Sequence, residues 1–444
     1  MVASQNISYA FLIGRAWPII LANAAVPLLG LVDTAVIGNV GSITDLGAIA
    51  FGALIFSFVY WSFGFLRMGT TGFVAREAGA ENGAGVRAAL GRALLIAVAL
   101  GGVLILLQIP IRWLALQLLD GSLQVESAAA EYFNIRIWGA PATLANFVVM
   151  GVFIGLGESR LLLWSQLFLN GTNMLFDILF AAVMGWGVEG IAFGTICAEW
   201  TSLLFAGYLI HKALAPTVAE NMPFWPLSLI ADRKAMWDTL NANTDIMVRT
   251  LILVFSFAWF TNLSARFGDV VLAANHILLQ LISFSAFFLD GYAFVAESLV
   301  GRAVGSGDQR RFDEAIGKST MLAFITAIGL ALLIWLLGDL AVQGLTDIAE
   351  VRDAATGMLL LAAVYVLLSF PAFQMDGVFI GASRTRQMRN AAFWSVSVFM
   401  LACWLLVEQF GVNGLWWAMI IYVIARAVAL GLYLPELRTA IKVR

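Results

Sequence analysis

Apolar residues run along this chain in long, unbroken blocks rather than in alternation or in short amphipathic stripes. Twelve such blocks cover about 17–39, 48–72, 90–109, 132–156, 161–184, 188–211, 238–264, 272–299, 316–338, 354–380, 387–408 and 413–435. Each approaches or exceeds the roughly 20 residues that cross a bilayer as a helix. Backbone groups in lipid must be paired within the segment, so each block is expected to be helical. A closed barrel would need period-two alternation, which the blocks lack. The first block contains Pro18 and Pro27, is long, and is followed almost at once by the second, so it is read as a span and not as a cleaved leader. The pattern predicts an all-α polytopic membrane protein of twelve transmembrane helices.

Composition agrees and narrows the function. Of 444 residues, 61% are hydrophobic and only 12% charged, against the ~25% charged of a soluble protein. An ordinary soluble enzyme, a disordered chain and a nucleic-acid binder are excluded. Two cysteines, Cys197 and Cys403, and two histidines, His211 and His276, leave no disulfide scaffold, thiolate metal site or three-histidine centre. No GxxxxGK[ST] or HExxH occurs, so neither a nucleotide-driven pump nor a zinc-dependent intramembrane enzyme is expected, and no cofactor is implied.

Basic residues set the orientation. Of the 25 Lys and Arg, 18 fall on the side that carries both termini and 3 on the other, while Arg67, Arg136, Arg249 and Arg426 lie within spans. Both termini are therefore expected in the cytoplasm. The chain also repeats itself. Gly151-Val-Phe-Ile-Gly155 recurs as Gly377-Val-Phe-Ile-Gly381, and the same offset of 226 relates Gly79 to Gly305 and Gly91 to Gly317. Gly187-Val-Glu-Gly190 recurs as Gly411-Val-Asn-Gly414 at an offset of 224. Two parallel, pseudo-symmetric six-helix bundles follow, over 1–215 and 238–444, joined by a cytoplasmic linker at 216–237. Such a pair can form a central cleft that opens to each side in turn, a plan suited to a secondary transporter driven by an ion gradient.

Carboxylates inside a membrane cost about 2.5–3.5 kcal/mol on insertion scales and ask for a function. Asp33 in the first span and Asp177 in the fifth fall at similar depths. Asn173 precedes Asp177 by one helical turn and shares its face. Thr195 in the sixth span reaches the same level, and Tyr132 sits near the outer end of the fourth. The repeat offsets map Asp33, Asn173, Asp177 and Thr195 to Trp259, Phe399, Cys403 and Met419, none with a side-chain oxygen. This asymmetry points to an ion-coupling site in the N-terminal bundle. Two neighbouring acids in a dry pocket would share protons and titrate as a pair, and the oxygens of Asp33, Asn173, Asp177 and Thr195 could also hold Na+. Pro18 and Pro27 permit a bend in the helix that carries Asp33. Asp376 is a secondary candidate. Asp290, Glu199, Glu297, Arg67 and Arg249 are read as structural, most of them close enough to helix ends to snorkel.

The stretch Pro27-Leu-Leu-Gly-Leu-Val-Asp33-Thr-Ala-Val-Ile-Gly38, the basic loop around Gly79 and Gly151-Val-Phe-Ile-Gly-Leu-Gly-Glu-Ser-Arg160 resemble the multidrug and toxic compound extrusion (MATE) family, in its DinF-type branch. The resemblance implies a V-shaped pair of bundles in the bacterial inner membrane that exports hydrophobic, often cationic compounds in exchange for H+ or Na+. It implies coupling through Asp33, Asp177, Asn173, Thr195 and Tyr132, and bending at Pro18. Where another branch has an acidic residue in its tenth helix, this chain reads Leu368-Ser369-Phe370, with Asp376 displaced from it; H+ is favoured over Na+. The expected partners are small substrates, H+ and membrane lipid, with the chain acting as a monomer. The competing expectation is a lipid or lipid-precursor flippase, which would need a strongly cationic cavity; the C-terminal bundle offers few central Arg or Lys.

Overall fold

The computed structural model describes residues 7–40, 42–117, 122–218 and 223–441, with only the backbone described at 26–35, 37–40 and 43. Among the described residues there is no strand. The helices are α1 (Tyr9–Val40), α2 (Ile43–Trp61), α3 (Phe65–Gly79), α4 (Gly83–Leu106), α5 (Gln108–Gln117), α6 (Leu123–Arg136), α7 (Ala140–Gly155), α8 (Ser159–Asp177), α9 (Gly187–Leu214), α10 (Leu227–Ile230), α11 (Arg233–Ala265), α12 (Asp269–Ser306), α13 (Gln309–Leu345), α14 (Ala349–Gly381), α15 (Thr385–Gly431) and α16 (Leu434–Ile441).

Among the described residues, ten stretches are long and apolar enough to span a membrane. The last of them, Thr385–Ile441, is broken at Gly411 (φ 57°, ψ −131°). A left-handed glycine there reverses the chain, so α15 crosses twice. With the 32-residue α1, the crossings number twelve. Two are interrupted: α2 and α3 form one stretch with a loosened turn at 62–64, and α6 and α7 another, joined by a 3-10 turn at Ile137–Gly139. Observed helices outrun the apolar blocks. α12 continues seven residues beyond its block, through Arg302, and stops only at Gly307 (φ 69°). The short helix α5, which buries none of its residues, was not foreseen.

The internal repeat is visible in the backbone. Gly151 and Gly155 on α7 back onto the main chain of Arg67 and Thr71 on α3, where a Cβ would collide. Gly377 and Gly381 on α14 back onto Ala293 and Glu297 on α12 in the same way. Glycines and contact partners alike are 226 residues apart. The same spacing relates the left-handed residues Glu81 and Gly307, and Gly157 and Ser383. It also relates two helix caps, in which Asn82 accepts from the Gly85 amide at 2.9 Å and Asp308 from the Arg311 amide at 3.0 Å. Gly187 (φ 54°) and Gly411 (φ 57°) make matching turns.

The chain divides into two compact units. One is Leu21–Leu240. The other runs from Asn241 onward and takes in the start of α1, up to Ile20. Within this second unit, Ile20 and the Ala16 carbonyl pack over Gly291 of α12, and Lys318 Nζ donates to the Ile7 carbonyl at 2.6 Å. The helix α1 thus starts in one unit and passes into the other just after Pro18. Its helical backbone is unbroken through Pro18 and Pro27.

Candidate functional site: a polar cluster in the N-terminal bundle

The elements α8 and α9 place the expected polar residues. Asn173 and Asp177 sit one turn apart on α8, with relative exposures of 1% and 0%. Burial of two such groups in an apolar bundle is costly unless they serve each other or a ligand. Asn173 Nδ2 donates to Thr195 Oγ1 at 3.2 Å, and that hydroxyl donates in turn to the Ile191 carbonyl at 2.9 Å. Asn173 Oδ1 is buried and accepts no hydrogen bond. The Asp177 carboxyl lies against Gly194, the residue before Thr195; a Cβ at 194 would run into Asp177 Oδ1. Three of the expected residues thus stand together.

Two local features make this approach possible, and neither was read from the sequence as such. The helix α8 gives way at Asp177 to a π-helical turn, Ile178–Val183; such turns occur often at functional sites. Gly190 backs onto the main chain of Phe180 and Ala181 in that turn, as Gly194 does onto Asp177. The Gly190-x-x-x-Gly194 spacing is the small-residue signal that predicts close helix approach.

Tyr132 on α6 is buried, with its ring over Gly52 and edge-on to Phe56 (centroids 6.2 Å apart). One turn along α6, Arg136 meets Glu199, which lies one turn along α9 from Thr195. The pair is bidentate, at 2.9 Å (Nη1–Oε2) and 2.5 Å (Nη2–Oε1). Phe56 and Tyr60 cover the guanidinium at 5.2 and 5.5 Å, and Gly139 leaves room for both charged groups. A buried ion pair therefore joins α6 to α9 directly beside the Tyr132–Thr195 level. Asp33 lies on α1, and its side chain is outside the described residues, as is that of Pro27. On the same helix, the Ala25 carbonyl accepts from Asn170 Nδ2 at 3.5 Å, which ties α1 to α8. Pro18 is buried.

Of the charges read as structural and near helix ends, Glu199 and Arg249 pair inside their bundles. Arg136 turns inward to Glu199. In the C-terminal bundle Arg249 and Arg426 both turn inward to Asp376, Arg426 at 2.7 Å. Asp376, the secondary candidate, is thus held by two cations. All five residues stand out in the sequence, but their convergence does not. Opposite charges inside spans of one bundle were the available signal.

Among the described residues no group of three or more His, Cys, Asp or Glu is placed to hold a metal ion. The cluster of Asp177, Asn173 and Thr195 offers a carboxylate, an amide oxygen and a hydroxyl, a set suited to a proton or a monovalent cation.

Comparison with known proteins agrees with this architecture. The family described as MatE matches the chain twice, over residues 18–179 and 246–405, one match in each half. The chain is 32% identical to the DNA damage-inducible protein F of Escherichia coli over 94% of its length and 89% of that protein's. It is 24% identical to a probable multidrug resistance protein NorM of Acinetobacter baylyi, over 91% and 90% of the two chains. Among solved structures, a MOP superfamily transporter from Pyrococcus furiosus, described as having a binding pocket of reversed polarity, superposes with a TM-score of 0.86 at 16% identity. The match covers 98% of this chain and 97% of that one. A MATE structure in a bent conformation gives 0.85 at 18% identity, over 97% and 96%. The matches to each repeat, the relative over nearly the whole chain and the twelve-crossing helical fold place this protein in the MATE family of multi-pass membrane transporters, which are carriers of small molecules and not enzymes.

Proposed function

We propose that this chain is a proton-coupled antiporter of the bacterial inner membrane, with both termini cytoplasmic, acting as a monomer. It exports hydrophobic, often cationic compounds. The observation that carries this reading is the wholly buried carboxyl of Asp177 beside Asn173 and Thr195, in one bundle only. A buried acid whose charge can be removed by a proton has two states of very different solvation energy, which is what a coupled carrier needs. Asp33 is the proposed second acid and Tyr132 an outlying member of the site. Protonation from outside favours a changed conformation of α1, which Pro18 and Pro27 allow to bend, and substrate is released outward. Deprotonation to the cytoplasm restores the substrate-binding state. Na+ could occupy the same oxygens, but a lone buried amide oxygen and one hydroxyl beside the acids are a sparse cation shell, which supports H+.

The test is efflux of a cationic dye from proteoliposomes under a proton gradient alone and a sodium gradient alone. Asp177→Asn is expected to abolish proton-driven efflux while the protein still folds and binds dye. Wild-type efflux driven by sodium but not by protons, or full proton-driven efflux in Asp177→Asn, would refute the assignment.

A further inference from the structure

Two arginines of the C-terminal bundle share a single carboxylate. Asp376 on α14 accepts from Nη2 of Arg249 on α11 and from Nη2 of Arg426 on the second crossing of α15. The side chains are largely shielded, with relative exposures of 14% for Asp376, 9% for Arg249 and 12% for Arg426. Two positive charges face one negative charge. Asp245, one turn before Arg249, is held by Arg389 at 2.7 Å and by Thr385 Oγ1 at 3.1 Å. Beside Asp376, the groups that lie near Arg426 are the phenols of Tyr365 and Tyr422. Counted over these three side chains, Arg249, Arg426 and Asp376, one positive charge is in excess.

The guanidiniums are also underused. Each has five N–H donors in a fixed fork. Among the described residues, Arg249 and Arg426 donate to Asp376 alone. Their other nitrogens have no protein acceptor among the described residues. The Arg426 guanidinium carbon lies 5.8 Å from the centre of the Tyr422 ring. Two guanidinium forks with unused donors and an excess of positive charge suit an acid, since paired guanidiniums match the oxygens of carboxylate, phosphate and sulfonate groups.

We propose that Arg249 and Arg426 form an anion-recognition site for the monoanionic head of an amphiphilic acid, with Asp376 as the resident counterion that keeps the two arginines in place. A bound monoanion neutralises the cluster. The site lies in the other bundle from Asp177, so one carrier would handle acids and zwitterions as well as cations. This extends the exporter reading only in its transport step; binding stands without it.

The test uses the full chain, purified in a neutral detergent and titrated with dansylaminoundecanoate, a fluorescent acid. Dansylcadaverine, a cation with the same fluorophore, is the control. Arg426→Gln and Arg249→Gln are each expected to weaken acid binding by about tenfold or more, while binding of the cation shifts by less than about twofold. Asp376→Asn removes the competing carboxylate and is expected to tighten acid binding by about threefold or more. A merely structural cluster would respond in one direction to all three substitutions. The proposal is overturned if Asp376→Asn weakens acid binding as the arginine variants do, or if the arginine variants leave it unchanged. Scrambling of labelled phosphatidylglycerol in proteoliposomes separates two sources of the same chemistry. A loss in Arg426→Gln there assigns a lipid headgroup to the site, and a loss of dansylaminoundecanoate binding alone assigns a free acid. Binding that persists in Asp177→Asn shows that this site holds whatever becomes of the coupling assignment.

Discussion

Removing Glu199 tests how the N-terminal bundle is held together beside its polar cluster. In Glu199→Ala, Arg136 remains at 7% exposure under Phe56 and Tyr60 with its bidentate partner gone. With charge centres about 4 Å apart and an effective dielectric constant of about 20, the lost attraction is about 4 kcal/mol. That agrees with the ~3–5 kcal/mol typical of breaking one side of a buried pair. Replacing both residues by methionine removes the stranded charge, and is expected to cost within about 1 kcal/mol of nothing. The assay is reversible unfolding in mixed micelles for wild type, Glu199→Ala, Glu199→Met, Arg136→Met and the double methionine variant, with the methionine set read as a double-mutant cycle. Equal losses in Glu199→Ala and the double variant, or a loss below about 1 kcal/mol in the single variant, would refute the argument that the ion pair is what joins α6 to α9.

Other substitutions test the close contacts. Gly194→Ala sets a Cβ against Asp177 Oδ1 and, at 3.0 Å, against the Asp177 amide. The carboxyl must move, so stability should fall by only about 1–3 kcal/mol while proton-driven efflux is largely lost; thermal unfolding and efflux measured together check this. Glu81 (φ 55°) and Ser383 (φ 54°) are left-handed where their repeat mates Gly307 and Gly157 are glycine. Glu81→Gly and Ser383→Gly should each stabilise the protein by about 0.5–1 kcal/mol in unfolding assays, the left-handed strain relieved exceeding the added chain entropy.

Much of this architecture is written in the order of residues. The twelve crossings follow from block length, because a bilayer admits only helices of a set span. The repeat was legible in six glycine pairs, and at the closest of them only glycine lets helix backbones approach as Gly151 does Arg67 and Gly377 does Ala293. Less legible were the matches between unlike residues, Glu81 with Gly307 and Gly157 with Ser383. Backbone conformation is conserved there by the turn, while the side chain is not.

The partners of buried charges were not legible at all. A single charge within an apolar span is visible, but which other charge it meets depends on how separate helices rotate and pack. Asp376 lies 127 residues from Arg249 and 50 from Arg426, and Arg136 lies 63 from Glu199. The sequence by itself determined the helices, their number, the duplication and the residue types available inside the membrane, because those follow from local composition and spacing. The tertiary structure decided that Asn173 meets Thr195, that Gly194 shelters Asp177 and that two arginines converge on one aspartate. Such meetings are set by side-chain packing between segments far apart in the chain, about which local periodicity carries no information.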